Sequence, residues 1–140
     1  MYGIPKRCKP LSAAEEQVLL AVWDTPHPVT RREVSRRLAG HGWTEGTVLT
    51  FLTRLEAKGW LSAAKESNHN VYTPTVTRRA YGVACMRQRL DTLFGGDLAA
   101  AVQALVSECG ATPGQLARAA AVIEAKRAEA EEYDSYDVFF

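Results

Sequence analysis

The sequence predicts a mainly α protein with a small β-hairpin, and three observations carry that expectation. Two capping boxes of the form S/T-x-x-E, at Ser12/Glu15 and Thr30/Glu33, each open a short segment with apolar residues at helical spacing. A third segment, Thr44–Gly59, places Val48, Phe51, Leu52 and Leu55 at i, i+3, i+4 and i+7, one stripe of a helix. After Gly59 two strand-like runs flank a polar turn, and from Thr77 the pattern is helical again.

Residues 1–10 are basic (Lys6, Arg7, Lys9) and interrupted by Pro5 and Pro10, which reads as a mobile N-terminal arm. The first helix starts at Ser12, buries Val18, Leu19 and Val22, is extended by Trp23, and ends at the prolines of DTPHP. In the second, Val29 and Val34 occupy the positions of a hydrophobic staple, and the helix runs to about Leu38 or Ala39. Its polar side carries Arg31, Arg32, Arg36 and Arg37.

The turn GHGW leads to the third helix, with Thr44 as N-cap and Gly59 as the left-handed stop behind Lys58. Opposite its apolar stripe lie Gly46, Leu49, Thr50 and Thr53, with Thr47 and Arg54 on the flank and carboxylates only at Glu45 and Glu56. Such a surface suits close approach to a polyanion, or simply a solvated face. Two short helices about a glycine-bearing turn form a helix-turn-helix pattern. The runs Trp60–Lys65 and Asn70–Thr75 about ESNH add a hairpin closed by Pro74. Three helices and then a hairpin is the element order of a winged helix-turn-helix domain, placed at residues 11–76.

Residues 77–130 read as a helical dimerisation region. Val83, Met86, Leu90 and Leu93/Phe94 form one stripe, broken at Gly95-Gly96. Asp97 can cap a helix bearing Leu98, Ala101, Val102 and Leu105. After a turn at Cys109–Pro113, Leu116, Ala119/Ala120 and Ile123 begin a last helix. These stripes are too narrow and alanine-rich for a core of their own, so a second copy is expected to cover Leu90, Leu93, Phe94, Leu98, Val102, Leu105, Leu116 and Ile123. Residues 131–140 form an acidic, aromatic tail expected to be unstructured in isolation.

Charge is divided between the halves. Of the 140 residues, 1–79 carry 12 Lys/Arg against 7 Asp/Glu and 80–140 carry 5 against 9, within a net charge of +1. The basic half is the one expected to meet an anion. Three dispersed cysteines (Cys8, Cys85, Cys109) without a CxxC pair fit reduced thiols in the cytoplasm and give no metal site. No apolar run approaches the roughly 18 residues of a membrane span, and no signal peptide is expected at the N-terminus. His27, His41 and His69 stand in turns, unpaired with cysteine or carboxylate, so neither catalysis nor a cofactor is expected.

LSAAEEQVLLAVWD, TVLTFLTRLEAKGWL, VYTP and LFGGDLAAAVQALV, in order between Leu11 and about Glu124, resemble the penicillinase-repressor (BlaI/MecI) family of bacterial transcriptional regulators. The resemblance implies a homodimeric repressor whose N-terminal domain binds a palindromic double-stranded DNA operator and whose C-terminal helices dimerise. The DNA-binding set expected here is Arg31, Arg32, Thr44, Gly46, Thr47, Leu49, Thr50, Arg54, Lys65 and His69. Thr47, Thr50 and Arg54 match the family. The positions of Gly46 and Leu49 are commonly polar or basic there, and here neither side chain can donate a hydrogen bond. Some members are inactivated when a signal-activated protease cuts the dimerisation region, which makes such a protease a candidate partner. The family's Asn-Phe cleavage point corresponds to Ala104-Leu105, and the cysteine cluster of the copper-responsive branch is missing. The rival expectation is a winged-helix protein-interaction module that has lost operator binding.

Overall fold

A computed structural model describes residues 3–137, with side chains through Asp134; residues 1–2 of the basic arm and 138–140 of the acidic tail lie outside the described residues. The chain divides into two compact units, Met1–Arg89 and Leu90–Phe140. The first contains α1 (Ala13–Trp23), β1 (Val29–Thr30), α2 (Arg31–Arg37), a 3₁₀ turn (Ala39–His41), α3 (Glu45–Ala57), β2 (Leu61–Glu66), β3 (His69–Pro74) and most of α4 (Arg78–Phe94). Local chemistry sets most of these boundaries. Both capping boxes form, Ser12 with Glu15 and Thr30 with Glu33. The Thr44 hydroxyl accepts from the Thr47 amide, and Gly59 ends α3 with a φ of +88°.

The sheet has three strands in the order β1-β3-β2, all antiparallel, rather than the two of the hairpin alone. Val29 and Thr30 pair with Tyr72 and Val71, so the staple residue before α2 is also a strand residue. Val18, Leu19 and Val22 of α1, Val34 of α2, and Val48, Leu52 and Leu55 of α3 are buried with Trp60 and Tyr72 in one core. Phe51, on the same stripe of α3, is only half-buried, because it stands at the edge against Trp43.

The basic arm is docked, not mobile, over the described residues. Ile4 and Cys8 pack against the core. The Lys9 amide donates to Lys58 O (2.9 Å), Trp60 Nε1 to Lys9 O (2.7 Å) and the Cys8 thiol to Gly59 O (3.4 Å). Gly59 is required twice: its φ is left-handed, and a Cβ there would stand 2.8 Å from Arg7 O.

Beneath the arm, buried Glu15 accepts from the Ser12 amide (2.8 Å) and from Lys58 Nζ (2.6 Å), which also reaches Pro10 O. Burial pushes the Glu15 pKa up. The hydrogen bonds from Lys58 and Ser12 outweigh it and hold the carboxyl below its ordinary value. A depressed folded-state pKa gives stability that is complete above the unfolded value and lost as pH falls through the folded one. Lys58→Met keeps the stem and leaves the buried carboxylate unpaired, which is expected to cost about 3 kcal/mol near neutral pH. Because the stranded carboxyl then titrates upward, the deficit should shrink between pH 7 and pH 4, as urea melts at both pH values would show. An equal deficit at both would mean that Lys58 contributes packing alone.

The first unit extends beyond the hairpin into α4. Arg78 pairs with Asp24, the C-cap of α1, and the Tyr81 hydroxyl donates to Glu16. The Tyr81 ring lies 5.6 Å from that of Trp23 and 5.3 Å from that of Trp60, and Ala84 is fully buried. Burial, then hydrogen bonds with Glu16 and Cys85, push the Tyr81 phenol up.

The second unit holds the last turn of α4, α5 (Leu98–Glu108) and α6 (Pro113–Asp137). Asp97 caps α5 through the Ala100 amide. The last helix starts three residues before Leu116, because Thr112 and Gln115 form a further capping box. It continues to Asp137, through most of the segment expected to be an unstructured tail. Alanines and the Arg127 pairs with Glu124 and Glu131 favour the helix there. Leu93, Leu98 and Val122 are 66%, 66% and 69% exposed, and Phe94, Leu105 and Ile123 are exposed too. Leu90, Val102 and Leu116 are half-buried.

Candidate nucleic-acid interface

A concavity of about 540 Å³ opens between the start of α2, the exposed side of α3 and the wing formed by β2 and β3. Arg31, Arg32, Leu49, Lys65 and His69, drawn from three separate stretches, line it together. Thr30, Asn68, Asn70 and Tyr72 complete the lining. The two asparagines were missed in the sequence. For Asn70 the signal is the alternation of β3, which puts it on one face with Tyr72, a core residue; Asn68 stands in the turn before the strand, where alternation gives no signal.

The electrostatics favour an anion. Arg31 and Arg32 occupy the first turn of α2, where the backbone dipole is already positive. Cations at that end cost a few tenths of a kcal/mol each unless an anion lies opposite. Among the described residues Arg31 pairs with Glu45 at 3.6 Å, with both side chains about half exposed. A pair so wet is worth well under ~1 kcal/mol, so a phosphate can displace it. Lys65 adds charge from the wing, where it pairs across the sheet with Asn70.

The remaining α3 residues lie outside this lining. The Thr44 hydroxyl accepts from the Thr47 amide (3.1 Å) and exchanges a hydrogen bond with the Thr47 hydroxyl (3.1 Å). Thr50 donates to Gly46 O (3.0 Å) and Thr53 to Leu49 O (2.9 Å). The Thr50 and Thr53 donors are turned back on their own helix and offer a ligand chiefly an acceptor, whereas the Thr44/Thr47 pair keeps one hydroxyl hydrogen free. Gly46 is exposed with space for a Cβ, whose nearest neighbour would be Thr44 Oγ1 at 3.8 Å. Arg54 lies 5.9 Å over the Phe51 ring, in a stack that continues through Trp43 to His41 along the flank of α3. Arg36 and Arg37 are exposed in the last turn of α2. The docked arm sits at the opposite end of α3, which is about 20 Å long.

Among the described residues no helix is long and apolar enough to cross a membrane, and no group of three or more His, Cys, Asp or Glu could hold a metal ion.

A family model described as penicillinase repressor matches residues 11–125. Among curated proteins the chain is similar to the penicillinase repressor of Bacillus licheniformis, with 28% identity over 93 residues, which are 66% of this chain and 73% of that one. Among solved structures it is similar to the solution structure of Bacillus licheniformis BlaI, in its monomeric form in complex with the blaP half-operator. That match has 32% sequence identity and a TM-score of 0.44, and covers 52% of this chain and 89% of the other.

Proposed function

The chain belongs to the penicillinase repressor family, whose members are transcriptional regulators and not enzymes, and from that premise we propose a cytoplasmic DNA-binding repressor that acts as a homodimer on a palindromic operator. The concavity carries the reading, because it gathers cations from α2 and the wing beside the uncharged Leu49 of α3. Phosphates fit the former and a groove floor of bases the latter. The exposed apolar residues of the second unit supply a surface for a second copy. In a dimer, two α3 helices meet half-sites about 34 Å apart, or a multiple of that, on one DNA face. Footprinting on genomic DNA, beginning upstream of the chain's own gene, is expected to show a protected dyad. Weak binding everywhere with no protected dyad would favour a winged-helix interaction module, the reading that the inward-turned hydroxyls of α3 support.

The family's Asn-Phe cleavage point falls at Ala104-Leu105, inside α5, where neither residue of that bond is kept, so regulation by the same protease does not carry over to this chain.

Leu49 offers a specific contact of one kind, apolar contact with a thymine methyl. Leu49→Arg can instead pair with guanine, a change worth about 1–3 kcal/mol of discrimination. Selection from a randomised half-site library with both proteins should return thymine for the parent and guanine for the variant at one step. The same site from both would remove Leu49 from the groove.

A further inference from the structure

We propose that Asn70 and Asn68 of the wing set much of the sequence preference, compensating for a recognition helix with few free donors. The inference rests on the operator-binding reading above. It starts from where hydrogen-bonding capacity is left over. On α3, the Thr50 and Thr53 hydroxyls donate to their own helix, Thr44 and Thr47 share one hydrogen bond that uses one of their two hydroxyl hydrogens, and the side chains of Gly46 and Leu49 have nothing to donate. On the wing, two carboxamides line the concavity, both exposed and without a protein partner among the described residues.

Their placement follows from the strand. Tyr72 is buried in the core at 1% exposure, which fixes the register of β3. Two residues out on the same face comes Asn70, while Asn68 stands in the turn just before the strand and lines the same concavity. Asn70 is therefore the first side chain beyond the core on the face shared with Leu49, and its cross-strand partner is Lys65. The tip turns in two residues, with Ser67 at a φ of +57°, so the carboxamides stand on a short hairpin and not on a long loop. A carboxamide presents both a donor pair and an acceptor. That matches the N6/N7 edge of adenine in the major groove, so the partner there is an A·T pair. Lys65 beside it carries charge alone and neutralises phosphate.

The test uses the full-length chain. A randomised duplex library first yields its preferred duplex. Affinity for that duplex and for a scrambled duplex of the same composition is then measured with parent, Asn70→Ala, Asn68→Ala, Asn70→Gln and Lys65→Ala. The asparagine-to-alanine variants should lose at least about tenfold of the preference ratio, leave binding to the scrambled duplex unchanged, and relax an A·T position in a repeat selection. Lys65→Ala should weaken both duplexes alike. Matching thermal midpoints establish that the variants fold, and Asn70→Gln should recover part of the ratio. An unchanged ratio and unchanged selected site in both alanine variants overturns the proposal. So does an equal loss on both duplexes, which would put the carboxamides on phosphates. If the parent itself selects no duplex, the operator reading fails first and this one falls with it.

Discussion

Raising the salt concentration from about 50 to 200 mM is expected to weaken operator binding by the full-length dimer by roughly 2,000-fold. Arg31, Arg32 and Lys65 line the concavity, so a dimer brings about six cations to phosphates. Each phosphate neutralised contributes about −0.9 to the slope of log affinity against log salt, for a total near −5. The slope also locates the arm. Engaging Lys6, Arg7 and Lys9 in both protomers would double the count and take the slope towards about −11. The docking of Cys8 and Lys9 against Gly59 and Lys58, at the far end of α3, favours the shallower value. Lys65→Ala should flatten it by roughly two, one per protomer, without changing which sequence is preferred. A loss confined to one duplex would mean that Lys65 reads bases.

The second large effect concerns the second unit. Leu98→Asp puts a charge on a side chain that is 66% exposed and that a partner copy is expected to cover. Association should fail while the first unit keeps its core, and a sedimentation experiment at micromolar concentration should show dimer for the parent and monomer for the variant. Losing the tether between half-sites should cost about 10²- to 10⁴-fold on a full operator and little on an isolated half-site. A parent that is monomeric at that concentration would remove the dimer from the mechanism. A matching truncation belongs after Arg89 and not after the hairpin, because Tyr81 and Ala84 are part of the first unit's packing.

What could be read in advance was what depends on residues three or four apart. Ser12/Glu15, Thr30/Glu33, Thr44 and Gly59 announce helix ends through hydrogen bonds that close within one turn. The order of elements then implies the winged helix. Long-range pairings escaped. The two residues of β1 have no period to detect, and they become a strand only because Tyr72 and Val71 arrive beside them. The arm looked mobile because prolines and charge are all its sequence displays, whereas its anchors lie 51 residues away at Gly59 and Trp60. Five of the ten residues expected at the DNA, Arg31, Arg32, Leu49, Lys65 and His69, meet in one concavity. Asn68 and Asn70 were passed over because two asparagines near a turn look like turn chemistry until the strand register is known.

The tryptophans differ in their surroundings. Trp23 and Trp60 are fastened through their indole nitrogens to Val76 O and Lys9 O and flank Tyr81. Trp43 stands half-buried just before α3, stacked against His41 at 4.6 Å and tilted against Phe51 at 5.1 Å. The chain therefore carries two sets of built-in optical probes. One pair emits from the seam that joins the arm, the sheet and α4, and dims or shifts when that seam comes apart. The single indole beside α3 emits from the flank of the helix proposed to enter the groove, so a variant that keeps Trp43 alone would report on ligand engagement there without any added dye.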